Sequence, residues 1–93
     1  MPLSLSLRQF EIFLRVAELR SFSQAGKVLH VSQPALTRSI QQMEEAIGAR
    51  LFDRDTRNVK LAAVGSQLLP IARRILDEVQ VACGEMAQFV EGL

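Results

Sequence analysis

The chain has 93 residues, 48% of them hydrophobic, enough for one small domain with a packed core. It holds one cysteine, Cys83, and no apolar run near the roughly 20 residues that span a bilayer. This composition excludes an intrachain disulfide framework and a membrane span, and predicts a reducing, cytoplasmic setting. The net charge is only +1, but residues 20–60 hold seven basic side chains against four acidic ones. That local excess would attract phosphates, although a solvated surface with a chance imbalance explains it equally well.

Residues 7–19 predict the first helix. Glu11 and Arg15 stand four residues apart, so we expect them to form an ion pair on its outer surface. Four apolar residues recur at helical spacing and predict the buried face: Phe10, Phe13, Leu14 and Ala17.

Ser21 is predicted to begin the second helix, because Ser21 and Gln24 fit a capping box. Gly26 lies inside this helix, where glycine costs about 1 kcal/mol relative to alanine. Either a neighbouring helix approaches closely at this point or the glycine is simply tolerated. His30 begins a three-residue break and is predicted to be a turn residue, since partner ligands for a metal are missing at useful spacing.

The third helix is predicted to run from Ser32, a good N-cap, to about Ile47, with Gly48 as its stop. It carries two faces. One is an apolar stripe at helical spacing, which consists of Leu36, Ile40, Met43 and Ile47. The adjoining arc is polar and has no acid, as expected of a helix that reads base edges in DNA: Gln33, Pro34, Thr37, Arg38 and Gln41.

Residues 49–61 predict a hairpin with strand candidates at 51–52 and 59–61 and a charged tip. Residues 64–93 then predict one long helix, which Pro70 should kink or shorten at its start. A heptad seam runs along this helix, and its burial against a second copy of the chain is favoured over a helix folded back on its own core. The seam comprises Leu68, Ala72, Ile75, Val79, Ala82, Met86, Phe89 and Leu93.

Catalytic chemistry finds little support in this chain. The single His and single Cys lie in unrelated segments, and the five glycines are scattered rather than gathered in a phosphate-binding loop. We therefore expect neither an enzyme, nor a cofactor, nor a metal site. Glu44 and Glu45 are adjacent on the third helix, so they are expected to pair with an arginine of the hairpin rather than act as an acid–base couple.

Several segments together resemble one family. The stretch FSQAGKVLHVSQPALTRSI at 22–40, the pairs Glu44–Glu45 and Ile47–Gly48, and LFDR at 51–54 resemble the N-terminal region of the bacterial LysR-type transcriptional regulators. The resemblance implies a mainly α fold, with a winged helix-turn-helix of three helices and a two-stranded wing in residues 1–62. It also implies a long linker helix in 63–93 that pairs antiparallel with a second copy as a coiled coil.

Two departures from the family are visible. A threonine often stands near the start of the linker helix, whereas this chain has Ala62 and its neighbours without a capping hydroxyl. The effector-binding domain that normally follows is absent, so the chain is expected to be an isolated DNA-binding fragment. An effector small molecule is expected only for a full-length form.

The resemblance also implies roles for particular residues in binding double-stranded DNA. Arg57 at the hairpin tip is expected to enter the minor groove, where narrow A·T-rich segments attract arginine. For Arg54, an ion pair with Glu44 or Glu45 is as good an interpretation as a DNA contact. The expected base or groove contacts from the third helix are Gln33, Pro34, Thr37 and Arg38, and the expected phosphate contacts are Ser23, Gln24, Ser32, Arg54 and Lys60.

These inferences lead to the hypothesis of a sequence-specific DNA-binding transcription regulator that binds inverted-repeat promoter sites as a homodimer. The alternative is a winged-helix protein–protein interaction module with a coiled-coil helix, which would bind no DNA.

Overall fold

The structure is a computed structural model that describes residues 3–53 and 59–93. Its elements follow in the order α1 (Leu7–Leu19), α2 (Phe22–Leu29), α3 (Gln33–Ile47), β1 (Phe52–Asp53), β2 (Lys60–Leu61) and α4 (Ala63–Glu91). The two strands pair antiparallel, with Phe52 opposite Leu61 and Asp53 opposite Lys60. The mainly α fold with a two-stranded wing and a long final helix is therefore confirmed. Within the described ranges, no helix is long and apolar enough to cross a membrane.

Serine side chains begin the first three helices. The Ser21 hydroxyl accepts a hydrogen bond from the Gln24 amide at 3.0 Å, and the Ser32 hydroxyl accepts one from the Ala35 amide at 3.3 Å. The predicted capping box at Ser21 and Gln24 is therefore confirmed for its serine half, and the complete box forms instead at Ser6 and Gln9, ahead of α1. These caps satisfy amide groups that the first turn of a helix leaves without intrahelical partners.

A residue in the left-handed backbone conformation ends each of the same three helices. Gly48 ends α3 with φ of 83°, while Arg20 and His30 end α1 and α2 with φ of 53° and 57°. His30 is thus the turn residue that the sequence predicted. A left-handed residue reverses the chain within a few positions, which brings the three helices together through very short links.

The core lies between the first three helices and the wing. Ile12, Phe13 and Val16 are the buried residues of α1, whereas the predicted Phe10, Leu14 and Ala17 are only partly buried. The predicted inner face is therefore confirmed at Phe13, and Phe10 and Ala17 pack against the core, but the most deeply buried side of α1 is rotated towards Ile12 and Val16. The reason is that α2, α3 and α4 all contact this helix and cover it on several sides. The fully buried side chains elsewhere are Ala25, Leu36, Ile40, Met43, Leu51 and Ala72, with Phe52 at 1% exposure.

The ion pairs on α1 also differ from the prediction. Glu11 pairs with Arg8, and Arg15 pairs with Glu18 at 3.1 Å, so each pair is three residues apart rather than four. Glu18 additionally lies 3.8 Å from Arg73 of α4. These exposed pairs contribute little to stability. The contact between Glu18 and Arg73 nevertheless joins α1 to α4.

Two glycines allow backbone segments to touch. A Cβ on Gly26 would lie 2.7 Å from the carbonyl oxygen of Val31, and a Cβ on Gly65 would lie 2.1 Å from that of Leu51. Gly26 is therefore required because another backbone segment approaches it closely. That segment is the turn that follows α2, and not a neighbouring helix, the alternative that the sequence suggested.

α4 divides into two halves. Gly65 and Ala72 are buried in the first half, and Leu68 and Leu69 pack against the core, whereas every residue from 80 to 93 is exposed. The helix begins at Ala63 and continues through Pro70, so the proline does not move its start downstream. The predicted seam divides in the same way, since Ala72 serves the chain's own core while Ala82, Met86 and Phe89 remain exposed.

Candidate nucleic-acid interface

The exposed arc of α3 is the centre of the candidate site. The adjoining apolar stripe of the helix is fixed in the core, with Leu36, Ile40 and Met43 fully buried. This anchoring leaves the polar arc on the outside, as the sequence predicted. Along the arc, the exposed residues are Gln33, Pro34, Arg38 and Gln41, and Thr37 is half-buried.

The helix starts contribute hydroxyl and amide groups. Ser23 and Gln24 lie exposed in the first turn of α2, and Ser32 is exposed at the start of α3. Because the Ser32 oxygen accepts the Ala35 amide, the hydroxyl hydrogen remains able to donate to a phosphate. The partial positive charge of a helix N-terminus favours an anion at the same place.

The wing contributes Lys60, which is exposed on β2 opposite Asp53. Arg54 and Arg57, the two predicted wing contacts, lie outside the described residues. Their roles, including the choice between a DNA contact and an ion pair for Arg54, remain predictions.

Aromatic packing holds the wing against the helices. The Phe52 ring lies 5.4 Å from that of Phe13, centroid to centroid, and 5.8 Å from that of Phe22 in an edge-on arrangement. Phe52 is the first residue of β1, so one side chain joins the wing to both α1 and the start of α2. Contacts of this kind fix where a wing stands relative to the exposed arc of α3.

Glu44 supplies a second anchor that the sequence analysis missed. Its carboxylate oxygen Oε2 accepts a hydrogen bond from the Leu51 amide at 2.8 Å. The Leu51 carbonyl in turn accepts the Ala62 amide at 2.9 Å, which ties the end of α3 to both sides of the wing. The available signal was an acid in the last turn of α3, shortly before the wing segment, but the sequence predicts only an arginine as its partner.

The charge along α3 limits the candidate surface to its first turns. From Gln33 to Gln41 the helix has no acid, and Arg38 is its only cation. Glu45 is exposed one turn further on, where a carboxylate would repel a phosphate backbone. Within the described part of the chain, no three His, Cys, Asp or Glu side chains are grouped as metal ligands would be.

Comparisons with known proteins agree with this geometry. The chain is 46% identical over 76 residues to the HTH-type transcriptional regulator TfdT of Cupriavidus pinatubonensis, which covers 82% of the chain and 33% of that protein. It is 48% identical over 71 residues to the SDS degradation transcriptional activation protein of a Pseudomonas strain, which covers 76% of the chain and 23% of that protein. The chain thus spans about a third or less of the length of these curated relatives.

The fold is also similar to that of a solved structure. The crystal structure of the BenM_DBD/benA site 1 DNA complex superposes with a TM-score of 0.90 at 31% identity, covering 96% of this chain and all of that one. Residues 7–66 match the family described as bacterial regulatory helix-turn-helix protein, lysR family. This match takes in α1, α2, α3, the wing and the start of α4, and so includes every element of the candidate site. The chain belongs to the lysR family of bacterial regulatory helix-turn-helix proteins.

Proposed function

We propose that this chain binds double-stranded DNA as a homodimer and thereby regulates transcription in the bacterial cytoplasm. Residues 1–62 form the DNA-binding unit and residues 63–93 the dimerisation helix of this proposal. The observation that carries it is the acid-free arc of α3, which faces solvent because the adjoining apolar stripe is buried at Leu36, Ile40 and Met43. The similarity to a chain solved as a DNA complex supports the same function.

The proposed base contacts come from the first two turns of α3. Arg38 has the planar, five-donor group that pairs bidentately with guanine in the major groove, and Gln33 can pair similarly with adenine. Pro34 and the Thr37 methyl group provide apolar contacts that suit the methyl of thymine. Such contacts select the sequence, while phosphate contacts set the register of the protein on the duplex.

The proposed phosphate contacts surround this helix. Ser23, Gln24 and Ser32 lie at helix starts, where hydroxyl and amide donors meet a favourable helix dipole. Lys60 of the wing adds a flexible cation, and Arg54 and Arg57 are proposed to extend the contact along the wing. Most of the affinity should come from these groups and should therefore fall steeply with salt.

A duplex titration at two salt concentrations tests the proposal. A random-sequence duplex should bind weakly with a steep salt dependence, and a site selected from a random DNA pool should bind more tightly at both concentrations. An interaction module for proteins would show neither binding nor a salt slope, and that result would reject the proposed function.

A further inference from the structure

The peptide group of Leu51 lies at the entrance to the wing, where α3, the wing and α4 meet. Its amide donates a hydrogen bond to Oε2 of Glu44 at 2.8 Å, and its carbonyl accepts one from the Ala62 amide at 2.9 Å. Gly65 of α4 touches the same carbonyl, since a Cβ at Gly65 would lie only 2.1 Å from its oxygen. This peptide group is therefore held by α3 through a side chain and by the start of α4 through its backbone.

Glu44 occupies a position that is unfavourable for an acid in an isolated helix. It lies in the last turn of α3, where the partial negative charge of the helix C-terminus repels a carboxylate. Its side chain is also only partly exposed, so burial adds to the cost of the charge. A hydrogen bond from a backbone amide to a carboxylate is among the stronger ones in proteins. The contact with the Leu51 amide thus gives a physical reason for the acid at this position.

The wing takes its position from this peptide group. Phe52 follows Leu51 directly as the first residue of β1, and its ring packs against rings of α1 and α2. Asp53 comes next and pairs with Lys60 of β2. A rotation of the Leu51 peptide would therefore turn β1 and move Lys60, which is the proposed phosphate contact of the described part of the wing.

We propose that Glu44 is a positioning residue for DNA binding, which holds the wing where Lys60 reaches the phosphate backbone. Glu44 acts through the Leu51 amide and does not itself touch DNA. Gly65 provides the second support, because its missing side chain lets α4 approach the Leu51 carbonyl. This inference rests on the proposed DNA binding and adds the residues that set the contribution of the wing to it.

Charge alone predicts the opposite effect for a change at Glu44. Removal of a carboxylate near a DNA-binding surface reduces its repulsion of the phosphates, so binding should become tighter. Loss of the support for the wing should instead make binding weaker. Glu45 provides the comparison, because it is an exposed acid at the next position of the same helix turn. The sign of the effect at Glu44 therefore distinguishes a positioning role from simple electrostatics.

Titrations of single variants with duplex DNA test the proposal. Glu44→Ala should weaken binding by roughly 10-fold on selected and random duplexes alike, and reduce the salt slope by about one unit, because a phosphate contact is lost. Glu44→Gln keeps a carbonyl oxygen that can accept the Leu51 amide, so it should bind at least as tightly as the wild type. Glu45→Ala is the matched control and should also bind at least as tightly. An equal loss for Glu44→Gln and Glu44→Ala would mean that the charge, and not the hydrogen bond, matters, and would overturn the proposal.

A double-mutant cycle tests whether Glu44 acts through the wing. Lys60→Ala should cost little affinity in the Glu44→Ala background, because the wing has already moved away from the phosphates. Arg38→Ala should cost the same affinity in both backgrounds, because the buried stripe keeps α3 in place. A full additional loss from Lys60→Ala would overturn the proposal. A changed effect of Arg38→Ala would mean that Glu44 supports α3 rather than the wing, and would overturn it as well.

Gly65→Ala tests the second support independently of Glu44. The added methyl group would meet the Leu51 carbonyl oxygen, so the wing must shift and binding should weaken on every duplex. Gly84→Ala is the control on the same helix, because a Cβ there would meet nothing within 4 Å. Thermal unfolding identifies a variant that fails to fold, in which case the cycle at Glu44 carries the test. Unchanged duplex binding by a folded Gly65→Ala variant would overturn the support from α4.

The outcomes separate this inference from the proposed function. A wild-type chain that binds no duplex would overturn the proposed function and this inference with it. A wild-type chain that binds duplex, together with a Glu44→Ala variant that binds equally well or better, would overturn the positioning role alone. The proposed function would then stand on the contacts of α3.

Discussion

Arg38 and Lys60 are both exposed cations, but they occupy different elements and should have different effects on DNA binding. Arg38→Ala should weaken binding to a selected site by about 1–3 kcal/mol and relax the preference at one base position. Lys60→Ala should weaken binding to every sequence by about the same factor and reduce the slope of affinity against salt concentration by about one unit. Titrations on the selected site and on single-base variants measure both effects. An equal loss on all sequences for Arg38→Ala would contradict its role in base reading.

Gly26 and Gly84 provide a matched pair of helical glycines with opposite surroundings. A Cβ on Gly26 would meet the Val31 carbonyl oxygen at 2.7 Å, whereas one on Gly84 would meet nothing within 4 Å. Gly26→Ala should therefore lower the free energy of unfolding by about 1–3 kcal/mol, because the turn backbone must move. Gly84→Ala should raise it by about 0.5–1 kcal/mol through a better helix propensity. Urea unfolding of both variants gives the comparison, and stabilisation by Gly26→Ala would show that the turn yields without cost.

At the scale of elements, the sequence predicted the helices well, because their boundaries depend on local chemistry. Ser21, Ser32 and Gly48 act within a few residues of their own positions, so their capping roles can be read without the fold. The exposed arc of α3 follows from the same period that identifies its buried stripe. For these reasons the centre of the candidate site could be predicted from the sequence alone.

The inner face of α1 could not be chosen in the same way. Residues 10–17 are mostly apolar, and Phe13 belongs both to the predicted face and to the observed one. Periodicity alone gives two acceptable faces there, and packing by α2, α3 and α4 decides which of them is buried more deeply. The contacts of Leu51 with Glu44, Ala62 and Gly65 join three different elements, so local sequence patterns could not predict them.

The start of α4 lacks the cap that the other helices have. Ala62 occupies the N-cap position in an extended conformation, and no side chain accepts an amide of the first turn. Ala62→Ser should therefore stabilise the chain by about 0.5–1 kcal/mol, since the hydroxyl can accept the Gly65 amide without moving the backbone. Thermal unfolding measures the gain, and Ala62→Val, which cannot cap, is the control. No difference between the two variants would argue against a missing cap.

At the scale of the whole molecule, α4 would set the distance between the two DNA-binding units of the proposed homodimer. Its 29 residues correspond to a length of about 44 Å. Only the first half is held by the chain's own core, so the second half is available to a partner subunit. A dimer formed in this way would present two copies of α3 in inverted orientation, as inverted-repeat DNA requires.

Loss of the dimer should therefore lower both the affinity for an inverted repeat and the salt dependence of binding. The variant with Met86→Lys and Phe89→Lys keeps every proposed DNA contact, and both substituted residues are exposed, so each copy should still fold. Its affinity for an inverted repeat should fall towards that for a single half-site, because the second unit is no longer held at a high effective concentration. Its salt slope should fall to about half of the wild-type value, because one copy neutralises half as many phosphates. Fluorescence titrations of an inverted-repeat duplex and a half-site duplex across a salt series measure these quantities. Val81→Lys, which adds one lysine at another exposed position of α4, is the control. A full slope in the monomeric variant would mean that one copy alone makes all the phosphate contacts, and that α4 does not link two DNA-binding units.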